Sequence, residues 1–164
     1  DTFTLGVCNG CQLMSHLNYL DMPFKMEKNI SGRFESRFSI LKITKKTPAI
    51  MFKDMNESSL GCWVAHGEGR FNFSVPVSES EISLQYMNVD KSVAGVKDYP
   101  FNPNGSPEGI AAVCSKDGRH LAMMPHPERS FNYWQWPCGA PEKMRRGNSP
   151  WIQMFRNAYK WCVN

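Results

Sequence analysis

Two short segments of this 164-residue sequence carry residue types that can do covalent chemistry. In Gly6-Val7-Cys8-Asn9-Gly10 a cysteine stands between glycines two positions away on either side. This is the spacing of a nucleophile elbow, with a thiol in the hydroxyl's place. Glycines at those positions let neighbouring backbone close in on a sharp strand-to-helix turn without a Cβ clash. A helix starting there favours a thiolate at its N-terminus, and the backbone amide of Asn9 is placed to donate to an oxyanion. The same residues admit another reading. Cys8-Asn9-Gly10-Cys11 is also a C-x-x-C pair, suited to redox chemistry or to half of a zinc site. For the other half the sequence offers Cys62 with His66, while Cys114, Cys138 and Cys162 stand alone.

The second segment is Pro125-His126-Pro127-Glu128-Arg129. A proline following His126 disfavours helical backbone and keeps the histidine extended. In extended chain, residues two apart share a side. The spacing therefore predicts that His126 and Glu128 face one way, the imidazole toward a nucleophile and the carboxylate orienting its ring. With Cys8 they complete a Cys–His–Glu triad.

Elements must position these groups. Thr2 to Val7 reads as a short apolar strand and Gly10 to Tyr19 as a helix, with Leu13, Met14, Leu17 and Leu20 on one face. The junction falls at Cys8–Asn9–Gly10. Asp21 to Gly32 is polar and loop-like, and Arg37 to Thr44 alternates as a strand does. Ala49 to Met55 reads as a short helix or turn. Cys62 to Ala65 and Arg70 to Ser74 read as strands around the glycine-rich bend His66–Gly67–Glu68–Gly69. Ile82 to Val89 is a further strand. Tyr99 to Pro107, with three prolines and a glycine, reads as a loop. Ile110 to Ser115 and Arg119 to Met124 are strands joined at Asp117–Gly118, a hairpin signal because primed turns need positive φ. Finally Ser149 caps a helix with Pro150 in its first position, and Trp151, Ile152, Met154, Phe155, Ala158, Tyr159 and Cys162 form a wide apolar face. Strands, two clear helices and tight turns predict one α/β domain.

Composition narrows the class. With 41% hydrophobic residues, 10 Phe, 5 Trp and 5 Tyr, disorder is excluded, and no period marks a repeat. No apolar run approaches the roughly 18 residues of a membrane span, and no leader is recognised, so a cytoplasmic location is expected. A net charge of +4 is mild. The small basic groups Lys42, Lys45, Lys46 and Lys143, Arg145, Arg146 lack the density of a nucleic-acid surface. Six cysteines and four Asn-x-Ser sites (Asn29, Asn56, Asn72, Asn104) could signal a secreted disulfide scaffold. A cysteine content this low, in a chain long enough to build its own core, fits free thiols in a reducing compartment better.

Taken together, GVCNGCQ (Gly6 to Gln12) and MPHPER (Met124 to Arg129) resemble the two halves of a class I glutamine amidotransferase site. NISGRFESRF (Asn29 to Phe38), AHGEGR (Ala65 to Arg70), NPNGSPEGIAAV (Asn102 to Val113) and SPWIQMFRNAYKW (Ser149 to Trp161) narrow the likeness. They resemble the C-terminal glutaminase domain of the long, single-chain phosphoribosylformylglycinamidine synthase family, over nearly the whole chain.

The resemblance implies a flavodoxin-like, mostly parallel sheet flanked by helices. It implies Cys8 as nucleophile forming a glutamyl thioester, His126 as proton carrier, Glu128 as its support and the Asn9 amide as oxyanion donor. Gln12, His66, Gly67 and Glu68 match positions lining the glutamine pocket. Asn102, Asn104, Gly105 and Ser106 match a loop near the glutaminase mouth or a domain interface, and Asn29, Arg33 and Glu35 distinguish the family. It implies no cofactor in residues 1–164, with ATP and magnesium belonging to a synthetase part that uses the ammonia in purine biosynthesis. The partners it implies are glutamine, the synthetase domains, and an earlier portion of the glutaminase domain carrying a second oxyanion donor, with no nucleic acid and no membrane. On that expectation the chain is incomplete on its N-terminal side and weakly active or inactive alone. Two other readings stay open: a free-standing Cys–His–Glu γ-glutamyl hydrolase, and a non-catalytic docking or regulatory fragment.

Overall fold

The computed structural model describes residues 2–137, 142 and 146–163. Cys138, Lys143 and Arg145 lie outside these residues. The strands are β1 (Thr4–Val7), β2 (Phe24–Glu27), β3 (Glu35–Ile43), β4 (Ser59–His66), β5 (Arg70–Phe73), β6 (Ile82–Tyr86), β7 (Ile110–Cys114) and β8 (His120–Met123). Helix α1 (Asn9–His16) follows β1, and α2 (Ile152–Val163) ends the described chain. Six strands form one sheet in the order β1-β8-β7-β6-β3-β4, while β2 and β5 pair antiparallel in a second.

The α/β class is as expected, but parallel pairing does not dominate among the described strands. It is confined to β1 with β8, and the other four pairings in the sheet are antiparallel. The short link between β7 and β8 allows only an antiparallel pair, whereas parallel strands need a long crossover. β1 and β8 are far apart in sequence and can run the same way.

That parallel pair carries both chemical segments. Cys8 follows β1, Met124 to His126 follow β8, and Cys8 N donates to Met123 O at 2.8 Å. β8 is buried on both faces with period 2. Leu121 and Met123 join Trp151, just before α2, and Met154 of α2 in one core, and Ala122 and Met124 join Cys11 and Met14 of α1 in the other. Each fully buried Leu or Met side chain contributes about 1.5–3 kcal/mol. The strand leading to His126 is thus clamped between two apolar layers.

Several local expectations are corrected. The Asp21 to Gly32 stretch is not all loop: Phe24–Glu27 forms β2, where Phe24 packs on Phe71 and Phe73. The helix ends at His16 rather than Tyr19; Leu13 in it and Leu17 capping it are 57% and 62% exposed, while Cys11, Met14 and Ser15 face inward and Leu20 is buried beyond it. The Cys11–Met14–Ser15 stripe is what packs, so the two leucines on the neighbouring arc point away. In α2 the buried arc is narrower than predicted. Trp151 and Met154 are fully buried, Tyr159 and Cys162 are exposed, and Asn157 is buried because its Nδ2 donates to Met51 O and Lys53 O. Ser149 does cap, its Oγ accepting from Trp151 N at 3.3 Å. The β7–β8 hairpin forms, but only Gly118 has positive φ (73°), and Gly118 N donates to Ser115 O. No helix among the described residues is long and apolar enough to cross a membrane.

Candidate active site

Cys8 holds the turn between β1 and α1 with φ 51° and ψ −103°. Positive φ in a non-glycine residue is costly and persists only where the surroundings impose it. Here β1 pairing on one side and α1 on the other impose it. Gly6 is required: a Cβ there would lie 2.4 Å from Met14 Sδ and 2.8 Å from the carbonyl of Gly10. Gly10 is not required on the same grounds, since a Cβ there would meet nothing within 4 Å. The first amides of α1, beginning with Asn9, have no intrahelical acceptor and head the helix beside the thiol.

His126 is 6% exposed and sits on β4 through its N–H, which donates to Trp63 O at 2.8 Å. Its Nδ1 is 2.5 Å from Glu128 Oε1. The two side chains meet, although not by the extended geometry expected. Pro127–Arg129 form a single 3-10 turn that brings Glu128 back under the ring. The Nε2 atom is buried without a hydrogen-bond partner among the described residues. The Cys8 Sγ lies 3.5 Å from Ala65 O and donates there. Burial opposes a charge on His126, but the Cys8 thiol and the Glu128 carboxylate outweigh it, pushing the imidazole up to about 9. Burial likewise raises Glu128, yet its bond to His126 prevails and holds the carboxyl below its ordinary value. Arg129 Nε stands 3.5 Å from the same oxygen.

The bend His66–Gly69 closes over this centre from the end of β4. Gln12 does not dangle in solvent: its Nε2 donates to Glu68 O at 2.9 Å and ties the nucleophile's helix to the bend. His66 is 2% exposed, and burial pushes its pKa down to about 4. Gly69 is needed because a Cβ there would be 2.4 Å from the His66 ring, whereas one at Gly67 would meet only Phe34 at 3.7 Å. Cys11 lies apart from this chemistry. It is fully buried with Sγ on Met26 Sδ at 3.9 Å, and burial raises its thiol pKa far above normal. Cys62 is also buried, its thiol pushed up to about 12, with its Sγ 3.5 Å from Ser130 Oγ. Among the described residues no three His, Cys, Asp or Glu side chains are grouped to hold a metal.

Three positions were not legible as site residues. Ala65 and Trp63 act through backbone carbonyls, which any residue type supplies. Ser130 is fully buried, bonded from Trp63 N and donating to His126 O at 3.2 Å, so it pins the triad turn onto β4. Asn102, Asn104 and Ser106 are buried in a loop that hydrogen-bonds within itself. Asn104 also reaches the bend, donating to Gly69 O at 2.6 Å. Glu35 is paired with Arg37 beneath Tyr99, opposite His66 in the β3–β4 register, while Arg33 is exposed.

A buried imidazole with one nitrogen held by a carboxylate and the other open, beside a thiol on a strained turn at a helix N-terminus, can perform acyl transfer through a thioester. Sequence comparison gives the class: residues 1–162 match the model of the CobB/CobQ-like glutamine amidotransferase domain, and the chain belongs to that family. Particular relatives narrow it further. The chain is 46% identical over 182 residues to phosphoribosylformylglycinamidine synthase of Drosophila melanogaster, covering 99% of this chain and 13% of that protein. It is 48% identical over 179 residues to the probable chloroplastic/mitochondrial phosphoribosylformylglycinamidine synthase of Arabidopsis thaliana, covering 98% and 12%. The chain thus spans about one eighth of the length of these relatives. The structure of PurLQS from Thermotoga maritima shares the fold, with a TM-score of 0.64 at 24% identity, covering 96% of this chain and 61% of that one.

Proposed function

We propose that this chain is the glutaminase part of a phosphoribosylformylglycinamidine synthase, hydrolysing glutamine to glutamate and ammonia. One observation carries the reading. Cys8 is held at positive φ at the head of α1, on the paired strands β1 and β8 that also deliver His126, whose Nδ1 is taken by Glu128 and whose Nε2 has no partner among the described residues.

The chemistry follows from the geometry. The Cys8 proton passes to His126, and the sulfur attacks the side-chain amide carbon of glutamine. Charge developing on the amide oxygen is met by the Asn9 amide at the helix start. Raised to about 9, the imidazole holds the proton it has taken from Cys8, and that charged form protonates the departing ammonia. The neutral ring then takes a proton from water, which opens the thioester and releases glutamate. Glu128 fixes the ring and stabilises its charge throughout. Gln12, His66, Gly67 and Glu68 form the wall that receives glutamine.

The ammonia serves the relatives' synthetase reaction, conversion of formylglycinamide ribonucleotide to its amidine. ATP and magnesium act in that other part, and no residue of this chain is assigned to them. The relatives' names and the family match support this placement.

The test is labelling with a glutamine-mimicking diazoketone in the intact enzyme. One adduct is expected, on the Cys8 peptide by mass spectrometry, and none in Cys8→Ala. An adduct on Cys11, or one surviving Cys8→Ala, overturns the assignment.

A further inference from the structure

The His66–Gly69 bend is held largely by one side chain outside the triad. Asn29 is 3% exposed, and its Nδ2 donates to His66 O at 2.7 Å and to Arg33 O at 2.9 Å. Its Oδ1 accepts from Gly69 N at 3.0 Å and lies 3.2 Å from His66 Nδ1. Its backbone N–H donates to Gly67 O at 2.9 Å. Asn29 therefore bonds three of the four residues in the bend. The fourth, Glu68, is the one Gln12 holds from the nucleophile's helix.

An amide has two N–H donors and two acceptor lone pairs. All four are engaged here in a buried site, so the group has one satisfied orientation and resists rotation. With Oδ1 accepting, His66 carries its proton on Nδ1 and leaves Nε2 as a bare, buried acceptor, consistent with its unpartnered state. Asn104 braces the arrangement from behind, since its backbone O accepts from Ile30 N at 3.2 Å while its side chain holds Gly69 O.

We propose that Asn29 is a positioning residue for glutamine hydrolysis. It fixes the His66–Gly69 bend against the Cys8–Gln12 turn and so sets the wall of the substrate pocket. The proposal rests on the glutaminase reading above. Asn29 contacts no reacting group, so its effect falls on how well the pocket is formed. Loss of a pre-formed wall removes binding shared by ground and transition states, and such a loss raises KM while sparing kcat.

The experiment compares the intact wild-type enzyme with Asn29→Ala and Asn29→Asp, using glutamine and, separately, ammonium as nitrogen donor. For Asn29→Ala the glutamine KM rises at least tenfold with kcat within threefold, and ammonium-driven turnover is unchanged. Asn29→Asp keeps the acceptor contacts and loses the donors, so its KM lies between. Wild-type KM in both variants overturns the proposal. If Asn29→Ala also loses ammonium-driven turnover, Asn29→Asp, of the same shape, decides: a raised KM supports positioning and a normal one overturns it. Loss of ammonium-driven turnover in both variants makes Asn29 a folding residue and overturns the proposal. Wild-type enzyme that neither releases glutamate nor takes the diazoketone at Cys8 overturns the glutaminase reading, and this inference with it. Labelled wild-type with unaltered variants removes the role of Asn29 alone.

Discussion

His126, which follows β8, and His66, which ends β4, are both buried, 6% and 2% exposed, yet their basicities are shifted in opposite directions. His126 is pushed up to about 9 and His66 down to about 4. Desolvation acts against charge on both rings, so burial alone cannot separate them. What differs is the partner. The Nδ1 of His126 meets a carboxylate, Glu128, while that of His66 meets a neutral amide, Asn29. On His126 the Cys8 thiol and the Glu128 carboxylate together outweigh the cost of burial, and on His66 a neutral amide leaves it uncompensated. One histidine is thereby equipped to carry a proton through a reaction, and the other to stay a fixed neutral wall.

The largest break in this contrast is expected from Glu128→Gln. Removing the carboxylate takes away a charge partner of His126, so its pKa falls from about 9 toward the ordinary value near 6.5. Glutamine turnover drops on the order of 100-fold, in the range of losing one member of an acid–base pair. The pH–rate profile moves its alkaline limb to lower pH, and a limb that stays in place would remove Glu128 from the charge balance.

A smaller change sharpens the contrast from the other side. Asn29→Asp gives His66 the kind of partner His126 has, and its pKa rises above about 4 while that of His126 keeps its value. Following the imidazole Cε1–H signals by NMR across pH reads both rings at once. An unmoved His66 would show that burial alone sets its state.

The smallest effect is on stability in the wild type, and the two rings act in separate windows. The folded pKa of His126 lies above its unfolded value, so its contribution is complete below about pH 6.5 and is lost as pH rises through about 9. For His66 the folded pKa lies below the unfolded value. The unfolded chain binds the extra proton, and stability is lost as pH falls from about 6.5 through about 4. Tm measured across pH is expected to decline at both ends, with the alkaline decline reduced in Glu128→Gln and the acidic one retained.

Much of the site was legible because it is local. Gly6-x-Cys8-x-Gly10 and His126-Pro127-Glu128 place their groups within a few bonds of one another, so backbone chemistry constrains them before any packing. Even so, one reason failed where the result held, since a 3-10 turn rather than extended chain joins His126 to Glu128. The Asn29 clamp and the Ser130 pin were not legible. Each links segments 37 or more residues apart, and an asparagine or serine looks the same in sequence whether buried or exposed. Leu13 and Leu17 misled for a related reason: apolar spacing reports a stripe, and only neighbours decide which side of it is covered.

By itself the sequence determined the α/β class, the elbow, the pairing of histidine with carboxylate and the family likeness, all of which rest on residues close along the chain or on their types. Only the tertiary structure decided which strands pair, that β8 is buried on both faces, which way Nε2 is left open, and which histidine takes a charge. Those depend on the dielectric and the partners that distant segments bring, and no short-range pattern encodes them.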